Sequence, residues 1–278
     1  MRRRDVTWLA WSLVGLSVAM FIGGISLARI MRSTVPELPY GGEAEPGNVV
    51  SSLVTILTFS VVGAIIVSRQ PRNTIGWIFC SIGLLVDLST LAGGYAEYWL
   101  ESGSGSRSLA ETAAWFSTWA WIPLGLVPTS FLLLLFPDGR LLSPRWRPVA
   151  WCAGLGITGF ALSYALEAGP LEDFPQIVNP YGVDSPVVGI LGLAAAAVAG
   201  CSMVPSAVSV IVRMRRAGSE QRQQIKWLAY GGAVVVGTIL IGGVVTIWSV
   251  NASIVVMNVA LLGLPVFTGI AIVKHRLY

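Results

Sequence analysis

Eight apolar stretches, each long enough to cross a bilayer, succeed one another with only short polar connections: about 8–30, 49–68, 75–99, 115–136, 149–168, 187–212, 227–248 and 252–273. Roughly 20 residues of helix cross a hydrocarbon core about 30 Å thick. Lipid offers no partners to backbone amides, so a spanning chain must be helical or form a closed barrel. The runs are continuously apolar, whereas barrel strands are shorter and alternate. The sequence therefore predicts an all-α, polytopic integral membrane bundle of about eight transmembrane helices. It is one domain over 1–278, with no soluble domain. A chain 54% hydrophobic and 12% charged has too little polar surface to clothe a soluble globule.

The charges assign an orientation to the spans. If they are threaded alternately from a cytoplasmic N-terminus, 15 of the 18 basic residues fall inside. Arg29, Arg32 and Arg107 are the three outside. Ten of the 14 acids fall outside, three inside, and Asp87 lies within a span. Basic residues are retained on the cytoplasmic side during insertion, so both termini are expected in the cytoplasm of a multi-pass protein of the cell membrane. The net charge of +4 follows from this loop pattern and gives no reason to invoke nucleic acid. Trp8, Trp11, Trp77, Trp146, Trp151, Trp227 and Tyr278 fall at the inner boundary, and Tyr95, Tyr98, Trp99, Trp115, Trp119 and Trp248 at the outer one. Such rings favour the headgroup layer.

Met1 and the three arginines after it could open a signal peptide, but the apolar run is too long and no clear cleavage site follows. A retained first span is expected. Cys80, Cys152 and Cys201 match no disulfide or zinc spacing and are expected to pack between helices. The outer loops, about 31–48, 100–114 and 169–186, are too short to bury cores of their own. Pro123, Pro128, Pro205 and Pro265 are expected to bend their spans. Gly192, Ala196 and Gly200 give a smooth face for a neighbouring helix. Gly154, Gly156 and Gly159 spell a dinucleotide fingerprint, but no strand precedes them and they lie inside an apolar span with no carboxylate to hold a ribose, so they form a small-residue helix face.

Asp87 is the acid deep in a span, twelve residues past Ile75. A bare carboxylate there costs about 2.5–3.5 kcal/mol on insertion scales. It is expected to be protonated or bonded to polar groups of neighbouring helices, with Ser206, Ser209 and Asn258 as the candidate partners. As an intramembrane switch or ligand contact it is the principal candidate residue; a satisfied interhelical hydrogen bond is the competing reading. His275, the lone histidine, is flanked by Lys274 and Arg276 at the membrane edge. No nucleophile–base pair, phosphate loop or metal-ligand spacing is present, so no catalytic residue, metal or cofactor is expected.

The cytoplasmic connections carry the most pattern. Pro137, Asp138, Gly139 and Arg140 follow Phe136 as a tight turn. Arg145, Trp146 and Arg147, between Pro144 and Pro148, place two guanidiniums and an indole at headgroup level. Ser219 is a candidate helix cap, with Arg222 and Lys226 one turn apart beyond it and Gln223, Gln224 and Trp227 among them. Contact with anionic lipid would account for this charge equally well.

These loops resemble the membrane-embedded input region of bacterial two-component sensor histidine kinases, the multi-span actinobacterial type. The segments carrying the resemblance begin at Asn73 (with Gly76 and Trp77), Phe136, Asn179, Glu220 and Lys274, in the expected order. Thr74 and Leu142 depart from it, standing where that family often has Pro. The resemblance implies a sensing and transmitting region whose last span delivers its signal through Arg276, Leu277 and Tyr278. The kinase core itself is absent from this chain. It further implies homodimerisation through the kinase region and a response regulator reached only through a kinase domain; the bilayer is the direct partner. A small transporter or carrier is the alternative, favoured by Asp87 and the bent spans and opposed by the scarcity of intramembrane polar groups. An anchoring or assembly subunit is the third.

Overall fold

The computed structural model describes residues 3–32 and 46–274. Helices account for most of them: α1 (Arg3–Arg32), α2 (Pro46–Arg69), α3 (Thr74–Ser102), α4 (Arg107–Trp119), α5 (Trp121–Val127), α6 (Leu133–Leu135), α7 (Arg147–Ala165), α8 (Pro186–Arg216), α9 (Ser219–Val245) and α10 (Val250–Lys274). A π-helical turn at Pro128–Leu132 joins α5 to α6. Two isolated bridges, Glu167 with Val183 and Pro170 with Val178, are the extended pairings among the described residues. The expected all-helical class is borne out. Among the described residues, six helical segments are long and apolar enough to cross a membrane: Arg4–Leu27, Val50–Arg69, Thr74–Ser102, Arg107–Leu135, Pro144–Ala165 and Pro186–Arg216. Asn258–Val273 in α10 is a shorter apolar helix. His275, Arg276, Leu277 and Tyr278, with most of the expected first outer loop, lie outside the described residues.

The expected outer loop at 100–114 shrinks to 103–106. Gly103 closes α3 in the left-handed region (φ 62°), its N–H bonding the Trp99 carbonyl. Ser106 caps α4 three residues later by accepting from the Leu109 amide. Two strong local signals thus outweigh the polar composition of 104–112, and Arg107 pairs with Glu111 one turn on.

Packing divides the bundle into units. Helices α1, α2 and α3 contact one another extensively; α7 pairs with α8, α9 with α10, and α10 lies along α2. The α4–α6 segment stands between α3 and the α7–α8 pair. A main core joins Phe59, Ile66, Ile75, Phe79, Leu134, Phe136, Ile225, Leu228, Ala271 and Ile272. It gathers the end of α2, the start of α3, the end of α6, the start of α9 and the end of α10. Val6 and Ala10 of α1 join the same end, against Val67 of α2 and Cys80 of α3. Because Arg69, Arg72, Arg140, Arg145 and Arg147 cluster in the sequence around these helix ends, it is called the Arg-rich end below.

Glycine sets the helix separations. A Cβ on Gly76 would stand 3.0 Å from the Val67 amide, and one on Gly63 2.7 Å from that of Cys80. Gly83 meets Ser60 so closely that its Cβ would lie 3.3 Å from the Ser60 amide and nearer still to the hydroxyl. Gly156, one of the fingerprint glycines, presses α7 onto α8 with its Cβ position 2.6 Å from the Ala199 amide. The fingerprint is therefore a helix contact, as expected. Of the three cysteines only Cys80 is buried; Cys152 and Cys201 are exposed on α7 and α8 and do not pack between helices.

Gly83→Ala is expected to force α2 from α3 and destabilise by about 1–3 kcal/mol, the usual cost of overpacking. Gly200→Ala, where an added Cβ meets nothing, should be neutral or mildly stabilising. Reversible unfolding in detergent micelles checks both.

Candidate functional site

Loops that are distant in sequence meet at the Arg-rich end. Their centre is the turn after α6, and its geometry follows from one residue. In a helix the Leu133 carbonyl would receive the amide of residue 137, but Pro137 has no N–H. The last carbonyls of α6 are thus left without helical partners. Ser209 Oγ of α8 donates to the Leu133 carbonyl at 3.1 Å. Arg213, one turn further along α8, donates through Nη2 to the carbonyls of Leu134 (2.9 Å) and Arg140 (3.1 Å). The Leu135 carbonyl accepts from the amides of Gly139 and Arg140. A cation at a helix C-terminus also meets the negative end of the helix dipole.

The other side of the turn is held by Asn73. Its Oδ1 caps α3 by accepting from the Ile75 amide at 3.0 Å. Its Nδ2 donates to the Pro137 carbonyl and to Gln70 Oε1, both at 3.1 Å. Gly139 lies directly beneath, with φ +70° and its Cβ position 2.6 Å from the Thr74 amide. Backbone conformation and lack of space each demand glycine there. The Trp77 indole donates to the Pro71 carbonyl at 3.1 Å, fastening the same connection. From α9, Gln221 Nε2 reaches Asp138 Oδ2 at 3.3 Å. The charge of Asp138 also bears on the Arg213 guanidinium.

Asn73 and Gly76 from one motif and Pro137, Asp138, Gly139 and Arg140 from a second therefore converge, and Gln221 brings in the segment that begins at Glu220. Trp146 and Trp227 pack at the rim of the main core, and Gln224 is buried beside Ile225. Arg145, Arg147, Arg222, Gln223 and Lys226 stay exposed around the junction. Ser219 is not the cap expected of it: Gly218 occupies the N-cap position, and no side chain bonds the helix start. Arg213 and Gln221 lie in segments the sequence singles out but are not among its candidate site residues. A signal for Arg213 existed, because Ser202, Ser206, Ser209 and Arg213 repeat at helical spacing and all four are buried on one face of α8.

A second polar cluster lies mid-bundle. Asp87 of α3 is fully buried and bonded to the Ser17 hydroxyl of α1. Ser17 Oγ in turn lies 3.1 Å from Ser60 Oγ of α2. The partners expected for Asp87 are corrected by this arrangement. Ser206 bonds the Ser202 carbonyl, Ser209 serves the α6 turn, and Asn258 reaches Ser51 and Ser52 on α2. The reason is topological: α3 packs on α1 and α2, while α8 packs on α7.

At the opposite end the 166–185 connection folds back as a cap. Asn179 Nδ2 donates to the carbonyls of Ala165 and Glu167, and Oδ1 accepts from the Tyr181 amide. Leu171, Phe174 and Ile177 are buried against Ala96 of α3 and Ala114 of α4. Too short for a core of its own, this loop completes one with the helices. The Trp115 indole donates to Ala165 and lies 4.6 Å from the Tyr181 ring. An open cleft of about 350 Å³ beside it is lined by Trp99, Arg107, Glu111 and residues 176–180. No group of three or more metal-ligating side chains occurs among the described residues.

Comparison with protein-family models, curated proteins and solved structures found no match.

Asn73→Ala should cost about 0.5–2 kcal/mol through loss of the α3 cap, with a further loss from the uncovered Pro137 carbonyl. Asn73→Ser keeps a capping oxygen and should recover part of it. Hydrogen exchange at the Ile75 amide, together with unfolding, reads the difference.

Proposed function

We propose that this chain is a membrane-embedded sensing and signal-transmitting region of the kind that feeds a two-component histidine kinase, crossing the bilayer eight times with both ends in the cytoplasm. The convergence of the Asn73, Phe136 and Glu220 segments on one joint is the observation that carries the proposal. These are three of the segments on which the resemblance rests, and they meet where α10 ends. The basic bias of the same loops supports a cytoplasmic position for the joint.

In this mechanism a stimulus in the bundle or the lipid alters the packing of α1–α3 and the proline-bearing α4–α6 segment. The change reaches the 136–140 turn through Asn73. It passes to α8 through Arg213 and to α9 through Gln221. Helix α10 moves with α9, because the two are packed along their length, and carries the displacement toward Arg276, Leu277 and Tyr278. Two packings separated by a few kcal/mol suffice for such a switch. A carrier is the second reading, favoured by the buried carboxyl of Asp87; it predicts solute-dependent flux in proteoliposomes.

Fusing the chain to a reporter kinase and inserting one to four residues after Tyr278 tests transmission. Output should rise and fall with the helical phase of the insertion, and Arg213→Met should uncouple it from the input. Output indifferent to phase would contradict transmission through a rigid helix.

A further inference from the structure

Asp87 has no ionic counterpart in its surroundings. Between its terminal turns α1 carries no acidic, basic or histidine residue over 6–28, and α2 none over 47–68. In α4 the charged residues are Arg107 and Glu111 at the far end, and α5 has none. On α3 itself the other titratable groups are Cys80, toward one end, and Tyr95, Glu97, Tyr98 and Glu101, toward the other. The carboxyl is fully buried, and its second oxygen, Oδ1, has no hydrogen-bond partner.

An ionised carboxylate here would stand in a low dielectric with a single hydroxyl donor, which is far from sufficient compensation. A metal ion or hydrated cation could supply the missing charge only if it fitted. The helix backbones cross closely to either side of the carboxyl. A Cβ on Gly63 would meet the Cys80 amide at 2.7 Å, and one on Gly94 the Gly24 carbonyl at 2.8 Å. These crossings lie on either side of Asp87 along α3, and Gly83 abuts Ser60 between them. A proton needs no space of its own. It also leaves in place the observed chain, in which Ser17 O–H donates to Asp87 Oδ2 and the Ser17 and Ser60 hydroxyls share a further hydrogen bond.

We propose that Asp87, with Ser17 and Ser60, is a proton-binding site that ties α1 and α2 to α3. Protonation forms an O–H bond on the carboxylate with a proton released by water or buffer acid at a membrane face; no other bond is made or broken. The neutral form keeps the three-helix hydrogen-bond chain without a buried, uncompensated charge. Deprotonation leaves a carboxylate that must draw in water or displace α1. This inference does not depend on the transmission mechanism, since proton binding stands or fails without any downstream output.

The test uses the whole chain in lipid vesicles with infrared difference spectra between acidic and alkaline buffers, sodium held constant. A protonated-carboxyl C=O band should be lost on alkalinisation, shift in Ser17→Ala and vanish in Asp87→Asn. Asp87→Asn should also lose the pH dependence of cross-linking between cysteines placed on α1 and α3. A carboxyl band unchanged in Asp87→Asn overturns the proposal, as does a wild-type spectrum without a titrating carboxyl band. A response to sodium at fixed pH would overturn it in favour of a cation site. If Asp87→Asn fails to fold, isotope-labelled aspartate in the wild type and the Ser17→Ala shift decide the assignment.

Discussion

The carbonyls orphaned by Pro137 govern how this bundle is joined. A proline one turn beyond Leu133 guarantees that α6 ends with acceptors unfilled, and unfilled buried acceptors cost on the order of 1–3 kcal/mol each. The chain fills them from helices remote in sequence. Ser209 and Arg213 approach from α8, and Asn73, at the start of α3, takes the Pro137 carbonyl further along the turn. A local backbone deficit is thereby converted into tertiary contact. Arg213, only 6% exposed, is the strongest of these ties because its guanidinium bridges two carbonyls at once.

Helix α3 links this junction to the interior of the bundle. Asn73 caps its first turn and Asp87 lies fourteen residues along, about 21 Å at the helical rise. Between them Gly76 and Gly83 hold α3 so tightly against α2 that the two helices can slide or separate only as units. Packed interfaces of this kind tend to have discrete arrangements rather than continuous ones. A change of bonding at Asp87 therefore has a short, stiff route to the Asn73 cap. The 166–185 cap, pinned by Asn179, fastens the other end of α3 through Ala96 and so limits which movements are open to it.

Much of this architecture was legible in the chain. Helix existence followed from continuous apolar runs, because lipid leaves few alternatives for the backbone. The Gly139 turn and the fingerprint glycines were legible too, since glycine is demanded by a left-handed dihedral in one case and by helix contact in the other. What escaped was pairing between helices. Asp87 was expected to meet Ser206, Ser209 or Asn258, yet depth in a span does not say which helix is adjacent, and its partner proved to be Ser17. The start of α4 was hidden because 104–112 is polar; Gly103 and Ser106 were the stop and start signals. Arg213 reads as one of a basic run whose other arginines are exposed, and only its register with three serines distinguishes it.

The most direct test is a double-mutant cycle between Asn73→Ala and Arg213→Met, measured by reversible unfolding in bicelles. If both side chains hold one turn from opposite sides, the costs are non-additive, with a coupling energy of about 0.5–3 kcal/mol. Costs that simply add would mean that the two act on separate structures and that the turn after α6 joins nothing.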